Sequence, residues 1–532
     1  MRLDGDNVKV KNKFLFLISS LVVLTILAIQ LDSILALFSP ASDVWLHIRE
    51  HLLTAYIRNT VGIVFFTMLF SATIGTLLAF GVSCYEFPFR KTISLLLHLP
   101  LAIPPYIGAF VYVNMFGPGG YLFGVLGAGA RPNAFWMAIL VFTLFLYPYV
   151  FITVKGFLSR DMSSYIENAR VLGKKEWQIL GLIILPVAKT SIITGSVFTG
   201  LEVLGDFGVV NYLGLPTFST AIFKSLFNFR DLDSALRLSG MVIVAVFVLL
   251  AIKGFVLRFR NLSVTTLKST PVSRKRLSKG GLVTFYLFAG FVMLMSLFLP
   301  LLRLITWASM SFHNIRWQNM SGIIYNSILY SLVATGIIVL LALIIASFTR
   351  MAPHVVAAIY GKMTLISYSL PGPVVAITVL FFMLTLADIF HFSVATTGFM
   401  LLLGYVVRYL GIAYENVDNG YKKLGMKHHQ VARTLGKGYY KTLLTVDIPM
   451  LKPFILSGAA LAFMDLIREL PLTLALRPFN FHTLATQTYQ FASNEMLPEI
   501  AIPSLMIVLI SMCLILMLFR SRSNSQTRSK QQ

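Results

Sequence analysis

Long apolar stretches constrain this chain more than any other feature of its sequence. A transmembrane helix needs about 20 predominantly apolar residues to cross the hydrocarbon core. Only 12% of the residues are charged, which is about half the share of an ordinary soluble domain. The sequence therefore predicts an all-α polytopic membrane protein with about 12 transmembrane helices. The apolar stretches fall near residues 14–37, 60–82, 92–116, 134–155, 183–205, 234–257, 282–307, 321–349, 355–383, 389–414, 447–470 and 500–519.

Positive charge is concentrated in the polar segments between and outside these stretches. The formal net charge of +23 would suggest a nucleic-acid partner for a soluble protein, but membrane proteins accumulate Lys and Arg in their cytoplasmic segments. Here the basic residues cluster in both terminal tails and in the central segment FRNLSVTTLKSTPVSRKRLSKGG. An even number of spans places all three segments on one side. We therefore expect a multi-pass protein with both termini in the cytoplasm and no nucleic-acid partner.

The chain contains an internal repeat. The segment ENARVLGKKEWQILGLIILP at 167–186 reappears as QVARTLGKGYYKTLLTVDIP at 430–449. Two halves with the same even number of spans have the same orientation, which is typical of a parallel repeat around a pore. We predict a first domain at 1–258, a basic cytoplasmic linker at 259–280 and a second domain at 281–532. An offset of 263 residues pairs Gly173, Pro186, Gly195, Phe218 and Thr220 with Gly436, Pro449, Gly458, Phe481 and Thr483, and an offset of 267 pairs Asn59 and Pro104 with Asn326 and Pro371.

The repeated segment itself predicts a short helix on the cytoplasmic face. Ser164 and Glu167 have the S-x-x-E spacing of a helix capping box, and Gly173 can end the helix in a left-handed conformation. A second helix is expected to begin near Lys174, and Pro186 suits the start of the following span. An ordinary loop would explain one such segment. Two copies in equivalent loops favour a pair of helices that a two-lobed cytoplasmic partner binds.

The segment resembles the E-A-A-x-x-x-G loop of permease subunits in bacterial ABC importers. In that family this loop forms the coupling helix that docks into a cytoplasmic ATPase. In the second copy Gln430 replaces the glutamate, which leaves open whether the two loops are equivalent. The matching positions, which the resemblance marks as the ATPase-coupling residues, are Glu167, Ala169, Gly173, Gln430, Ala432 and Gly436.

Within that family the chain is most similar to the fused permeases of ferric-iron importers. The resemblance is carried by Arg468-Glu469-Leu470-Pro471, by the segment RPFNFHTLA at 477–485 and by LGDFG at 204–208. It implies import of ferric iron across the bacterial inner membrane. Fused permeases for thiamine share the architecture, so thiamine or another small solute such as a polyamine or phosphonate is the alternative.

The resemblance also defines the expected partners. The chain has no G-x-x-x-x-G-K-[ST] phosphate-binding loop, so we expect ATP to be used by two copies of a separate cytoplasmic ATPase subunit. An extracytoplasmic binding protein would deliver the substrate. The chain itself is expected to bind no cofactor and to be a transport subunit, not an enzyme. A secondary transporter driven by an ion gradient is the competing interpretation of a duplicated membrane fold, and it would not need docking loops.

Four acidic residues are candidates for the translocation pathway. Glu202 and Asp206 are four residues apart, so they share one helix face, and Asp465 and Glu469 repeat this pair at the 263-residue offset. Glu202 lies 16 residues after Pro186, roughly 24 Å along a helix towards the outer side. Carboxylates suit a hard cation such as Fe³⁺. The alternative is that these acids cap helices or pair with Arg468 and Arg477.

Two histidine patterns suggest metal chemistry only weakly. His47-Ile48-Arg49-Glu50-His51 spells H-x-x-E-H, an inverted zinc-protease motif, but it has no evident third ligand, and we assign no metal site to it. His428 and His429 lie in the second cytoplasmic loop and are predicted to be solvated.

Overall fold

The computed structural model describes residues 13–117, 120, 124, 133–161, 168–169, 171–258, 274–276, 278–313, 315–391 and 397–528. These residues are almost entirely helical. The first half contains α1 (Lys13–Ala36), α2 (Asp43–His47), α3 (Leu53–Cys84), α4 (Arg90–Leu96), α5 (Pro105–Phe116), α6 (Ala134–Asp161), α7 (Glu176–Ile179), α8 (Leu185–Gly205), α9 (Gly208–Tyr212), α10 (Phe218–Phe227) and α11 (Leu232–Arg258).

The second half repeats this succession of long and short helices. It contains α12 (Lys279–Met293), α13 (Leu299–Ser311), α14 (Trp317–Thr349), α15 (His354–Ser369), α16 (Gly372–Phe390), α17 (Gly398–Leu424), α18 (Lys427–Thr434), α19 (Tyr439–Thr442), α20 (Ile448–Ile467), α21 (Pro471–Leu476), α22 (Leu484–Ser493) and α23 (Ala501–Arg528). The all-α prediction is confirmed.

Ten helices of the described residues are long and apolar enough to cross a membrane, or eleven if a bent pair counts as one span. The bent pair is Arg90–Ala102 and Pro105–Phe116, which meet at 90°. The expected span at 389–414 corresponds to α17, which has 27 residues but contains Arg408, Glu415 and Asp418 and is not among the ten. The count of about 12 is therefore close, and the difference lies in one bent segment and one charged helix.

Prolines break one expected span in each half. The stretch 355–383 was expected to form one helix, but α15 ends at Ser369 and α16 begins at Gly372, with Pro371 between them in an extended conformation (ψ 145°). Pro104, its repeat partner, has the same conformation (ψ 139°) directly before α5. Proline has no N–H and disfavours a helical residue before it, so each apolar stretch contains a break that hydropathy alone does not detect.

Pro186 lies in the first turn of α8, as the sequence predicts, but α8 directly continues the helical segment before it. A continuous helix reaches it through a wider π-helical turn at Leu180–Ile184, in which Leu185 N–H donates to Leu180 C=O. Pro449 follows the same kind of turn at Leu443–Asp447. The wider turn accommodates a residue that lacks an N–H without ending the helix.

The two halves interlock. Helix α1 packs against α14, α15 and α16 of the second half, and α13 packs against α5 of the first half. Hydrogen bonds accompany both contacts: the Ser20 hydroxyl lies 2.7 Å from the Tyr360 hydroxyl, and Arg303 Nη2 donates to Asn114 Oδ1 at 3.0 Å. Part of the apolar surface of the second half is thus covered by α1 of the first half, and part of the apolar surface of the first half is covered by α13 of the second half.

The structure corrects the repeat alignment near the end of each half. Thr217 with Thr220 forms a reciprocal helix cap, and Thr483 with Thr486 forms the same cap. Thr217 therefore corresponds to Thr483 at an offset of 266, and the expected pairing of Thr220 with Thr483, and of Phe218 with Phe481, is wrong. The second half has three extra residues between α21 and α22, where the Phe479 side chain is 96% exposed.

The linker contacts the first half. Its residues Lys275–Arg276 form a short strand, β2, which pairs in parallel with β1 (Tyr85–Glu86). Arg274 lies 3.5 Å from Glu86, and Arg90 lies 3.4 Å from the same carboxylate. Basic residues of the linker are therefore held against the end of α3.

Candidate functional site

A cavity of about 100 Å³ lies between the two halves, where the helices are interrupted. Pro104 and Pro371 both line it. They are followed by the first turns of α5 and α16, so the broken helix of each half begins at the same space. Two breaks related by the internal repeat thus create one shared opening within the packed helices.

All four predicted acidic residues line this cavity: Glu202, Asp206, Asp465 and Glu469. Each pair lies at the far end of the helix that follows a repeated loop. One member of the pair is inside that helix and the other is just beyond its last residue. The structure therefore brings the four carboxylates of the two halves together, as the sequence predicts. Their role in transport stays a prediction.

The first-half acids accept hydrogen bonds from neutral groups. Glu202 Oε1 accepts a hydrogen bond from the Tyr149 hydroxyl at 2.9 Å. Asp206 Oδ1 accepts one from the Val209 backbone N–H at 2.7 Å. Asp206 thus caps the short helix α9, and both side chains are only partly buried.

The second-half acids pair with arginines. Glu469 Oε1 accepts from Arg408 Nη1 at 3.1 Å and from the Leu472 N–H at 3.1 Å, so it caps α21 as Asp206 caps α9. Asp465 is paired with Arg468, whose Nη1 also donates to the Leu101 C=O of the first half at 2.7 Å. The alternative of capping and of pairing with Arg468 is therefore observed.

Pairing of these acids with Arg477 is not observed. Arg477 Nη1 instead donates to the Phe481 C=O at 3.1 Å and lies 2.7 Å from His482 Nδ1. These contacts organise the extra loop between α21 and α22, away from the four carboxylates.

Sequence reasoning missed Arg408. It lines the cavity in the middle of α17, and its guanidinium approaches Gly372 so closely that a Cβ there would lie 1.8 Å from Nη1. A single arginine inside an apolar stretch is itself a functional signal in a membrane protein. With Arg468 it gives the cavity two guanidinium groups against four carboxylates.

The described residues contain no group of three or more His, Cys, Asp or Glu side chains placed to hold one metal ion. The cavity is thus lined by charged side chains but is not a preformed metal cage in this conformation. His47, Glu50 and His51 are exposed on α2 and the turn that follows it, with the two histidine rings 5.0 Å apart. This arrangement gives the zinc-protease interpretation no support.

The second repeated loop forms the expected short helix. Helix α18 contains exposed Gln430 and buried Ala432, and it ends before Gly436, which has a φ of 82°. In the first loop Ala169 is buried and Gly173 has a φ of 71°. Glu167 and Ser164 lie outside the described residues. Both glycines therefore end the loop helices in the left-handed conformation that the sequence predicts.

The prediction that both loop histidines are solvated is wrong for one of them. His428 is exposed, but His429 is buried and its Nδ1 lies 2.7 Å from Asp447 Oδ2. Its partner lies 18 residues further along the chain, so the contact depends on how α18 folds back towards α20.

Comparisons with known proteins agree with this architecture. A family model described as binding-protein-dependent transport system inner membrane component matches residues 71–264 and 338–530. The Fe(3+)-transport system permease protein FbpB 2 of Haemophilus influenzae is 23% identical over 461 residues, which cover 86% of this chain and 87% of that protein.

Other relatives match a smaller share of the chain. The sulfate transport system permease protein CysT of Escherichia coli is 26% identical over 242 residues, 44% of this chain and 87% of its own length. The molybdenum transport system permease protein ModB of Azotobacter vinelandii is 26% identical over 214 residues, 38% of this chain and 94% of its own. The family model matches twice and the relatives are permeases. The chain therefore belongs to the inner-membrane permeases of binding-protein-dependent ABC importers, and it is a multi-pass transport subunit with two copies of their membrane domain.

Proposed function

We propose that this permease imports ferric iron, delivered by an extracytoplasmic binding protein. The observation that carries the proposal is the cavity between the halves, where four carboxylates face two guanidinium groups. The excess of acidic groups favours a cation. Carboxylate oxygens are also the ligands that hard cations prefer.

One relative that matches along both halves of this chain is an iron permease, which covers 86% of it at 23% identity. The sulfate and molybdenum permeases are shorter proteins that match 44% and 38% of this chain at 26% identity, so they share the membrane domain but not the length of the chain. An oxyanion in this cavity would meet an excess of like charge, which disfavours binding. The same argument disfavours a phosphonate.

Thiamine and polyamines are cations, so charge alone does not separate them from iron. Size supports the smaller substrate: the cavity measures about 100 Å³, well below the roughly 300–1,000 Å³ of pockets that bind organic molecules of drug size. A metal ion needs only its coordinating oxygens within reach.

The energy source in this proposal is ATP hydrolysis by two copies of a cytoplasmic ATPase. Each would dock on one loop, at 167–173 and 430–436, and both termini would lie on the same cytoplasmic side. The loops support this assignment because each presents an exposed leucine immediately before its left-handed glycine. Leu172 and Leu435 are each 76% exposed, and such apolar side chains suit a protein partner more than water.

The substrate is tested by uptake into proteoliposomes that contain the full complex. Radiolabelled Fe³⁺, sulfate, molybdate and thiamine would be supplied separately with the binding protein, with ATP and without it. We expect ATP-dependent accumulation of iron only. Thiamine or sulfate uptake without iron uptake would overturn the substrate and leave the ABC mechanism intact.

Deletion of the two loops tests the energy source. Removing residues 168–173 or 430–436 should abolish co-purification of the ATPase and ATP-driven uptake. A secondary transporter would keep uptake driven by an ion gradient after the same deletions.

A further inference from the structure

A largely buried cluster of an arginine, a histidine and an aspartate lies at the end of the second half that carries its repeated loop. It consists of Arg350, His429 and Asp447, called here the inner clamp. Asp447 Oδ2 lies 3.2 Å from Arg350 Nη1 and 2.7 Å from His429 Nδ1. His429 and Asp447 are each 6% exposed. Charges are buried in this way only when they are paired and hydrogen-bonded, so the three positions depend strongly on one another.

Each member of the inner clamp belongs to a different segment. Arg350 caps the end of α14, His429 lies on α18, and Asp447 ends the π-helical turn that leads into α20. Arg350 Nη2 also donates to the Gly425 C=O at 2.7 Å, where α17 ends, and its guanidinium lies 4.4 Å from the centre of the Tyr421 ring. The clamp therefore joins the loop helix α18 to the inner ends of three long helices.

The first half has uncharged residues at the corresponding places, with Ser83 for Arg350 at the 267-residue offset and Ile166 for His429 at the 263-residue offset. The 263-residue offset pairs Asp447 with Ile184 and Tyr421 with Leu158, and both of these are fully buried in one apolar cluster. Apolar contacts are non-directional, whereas charge-assisted hydrogen bonds fix distance and orientation. Asp447 is thus held by directional contacts, whereas Ile184 is held by apolar packing.

A single helix connects the inner clamp with the cavity. Helix α20 begins at Ile448, next to Asp447, and continues to Ile467. Asp465 lies 17 residues further along than Ile448, a distance of roughly 25 Å in a helix. A displacement of α18 that moves Asp447 therefore moves a helix that carries a cavity carboxylate.

We propose that the inner clamp is a positioning device, which fixes α18 to α20 so that movement imposed on the second loop reaches Asp465 and Glu469. This inference rests on the proposed docking of an ATPase on that loop. Spatial continuity alone does not establish coupling, so the test has to separate the rigidity of α18 from its effect on transport.

The informative variant replaces the ionic contact by apolar groups of similar size, Arg350→Met with Asp447→Leu. Such replacements often preserve the fold because neither member of the Arg350–Asp447 pair is left as an unpaired charge. His429 loses its Asp447 partner in the same variant, so all polar contacts of the clamp are removed together. The matched control is Ile184→Val, which shortens the corresponding apolar contact of the first half. A second variant, Asp447→Glu, keeps the negative charge. It is expected to retain part of the transport that the double variant loses.

Two measurements are made on each protein. Amide hydrogen exchange of residues 427–434 in the purified chain reports how firmly α18 is held, and we expect it to be about tenfold faster in the double variant. Iron transported per ATP hydrolysed, measured in the full complex, should fall at least about threefold with ATP hydrolysis retained, because motion no longer reaches the cavity. Ile184→Val should leave both values unchanged.

Unchanged exchange in α18 would refute the clamp. Faster exchange with an unchanged ratio of iron to ATP would refute its role in transmission. If the unmodified complex hydrolyses ATP without moving iron, the proposed substrate fails, while the exchange measurement still decides whether the clamp exists. If the ATPase does not bind the chain, the docking proposal fails separately.

Discussion

The two halves share a backbone plan and differ in charge. Pro104 and Pro371 break equivalent helices, and Asp206 and Glu469 cap equivalent short helices at the cavity. At the 263-residue offset, however, Arg408 corresponds to Phe145, and Arg468 corresponds to Gly205. The duplicated frame therefore places four carboxylates symmetrically, while both arginines of the cavity come from the second half and form their ion pairs with the acids of that half.

The inner ends of the halves differ in the same direction. The first half packs apolar side chains around Ile184, and the second half holds its loop with the inner clamp. Backbone breaks and caps determine where helices end, and they have been retained in both copies. Charge differs between the copies at the cavity, where both arginines come from the second half, and at the position shared by Ile184 and Asp447. We therefore expect second-half acids to be needed mainly for stability and first-half acids mainly for the substrate.

The largest expected effect tests this division of roles. Glu469→Ala removes the partner of Arg408, whose side chain is only 13% exposed, and an unpaired buried charge costs about 3–5 kcal/mol of stability. Glu202→Ala removes the partner of a neutral hydroxyl and should cost about 1–3 kcal/mol. The measurement is the thermal unfolding of each purified variant in detergent, from which its loss of stability relative to the unmodified chain is obtained.

The control is the double variant Glu469→Ala with Arg408→Met. Removing the arginine as well should recover most of the lost stability, because the penalty comes from the remaining charge. Equal destabilisation by Glu469→Ala and Glu202→Ala would show that the halves are not divided in this way.

The second prediction concerns transport by the first-half acids. Glu202→Gln preserves size and an acceptor for the Tyr149 hydroxyl, so the fold should persist. Loss of the negative charge should lower the rate of iron uptake at least tenfold, as loss of metal-binding contacts commonly does. Uptake by reconstituted complexes is the measurement, with Tyr149→Phe as the variant that removes the hydrogen bond and keeps the charge. Normal uptake by Glu202→Gln would exclude this carboxylate from the pathway.

Much of this organisation is predictable from the sequence. The apolar stretches, the repeat and the two acidic pairs follow from composition and spacing, and the four carboxylates do meet in one cavity. The role of Pro371 could have been anticipated, because a proline that interrupts an apolar stretch is a recognised helix breaker. Hydropathy averages over a window, and for that reason it hides both this break and the single charge of Arg408.

The inner clamp could not be predicted in this way. Arg350 and Asp447 are 97 residues apart in the chain, and His429 lies in a loop where most side chains are solvated. No local pattern marks such a contact, since it arises only when α14, α18 and α20 meet. The three-residue shift before Thr483 was missed for a related reason: matching letters suggested one offset, and only the helix caps show the true one.

The third prediction compares the two cytoplasmic loops. Leu172→Asp and Leu435→Asp place a charge on an exposed apolar side chain that would contact the ATPase, and each should weaken ATPase binding by more than about 1 kcal/mol, roughly fivefold. The two leucines are equally exposed, so the two effects should agree within about twofold. Affinity is measured by titrating the purified ATPase onto the chain in nanodiscs. An effect in only one loop would show that the loops are not equivalent, as the change from Glu167 to Gln430 allows.

The smallest expected effect isolates backbone conformation. Gly173 and Gly436 both have positive φ, and a Cβ at either position would have no heavy atom within 4 Å. Alanine at each site therefore meets no steric obstacle. Its cost is the less favourable free energy of an L residue in the left-handed conformation, about 1 kcal/mol. Hydrogen exchange in the helix before each glycine reports this change, and Gly181→Ala, which lies in a helical turn with equally open space, is the control. Equal increases at Gly173 and Gly436 would show that the halves keep the same loop geometry. A larger increase at Gly173 would show that the inner clamp holds α18 in place even when its final turn is strained.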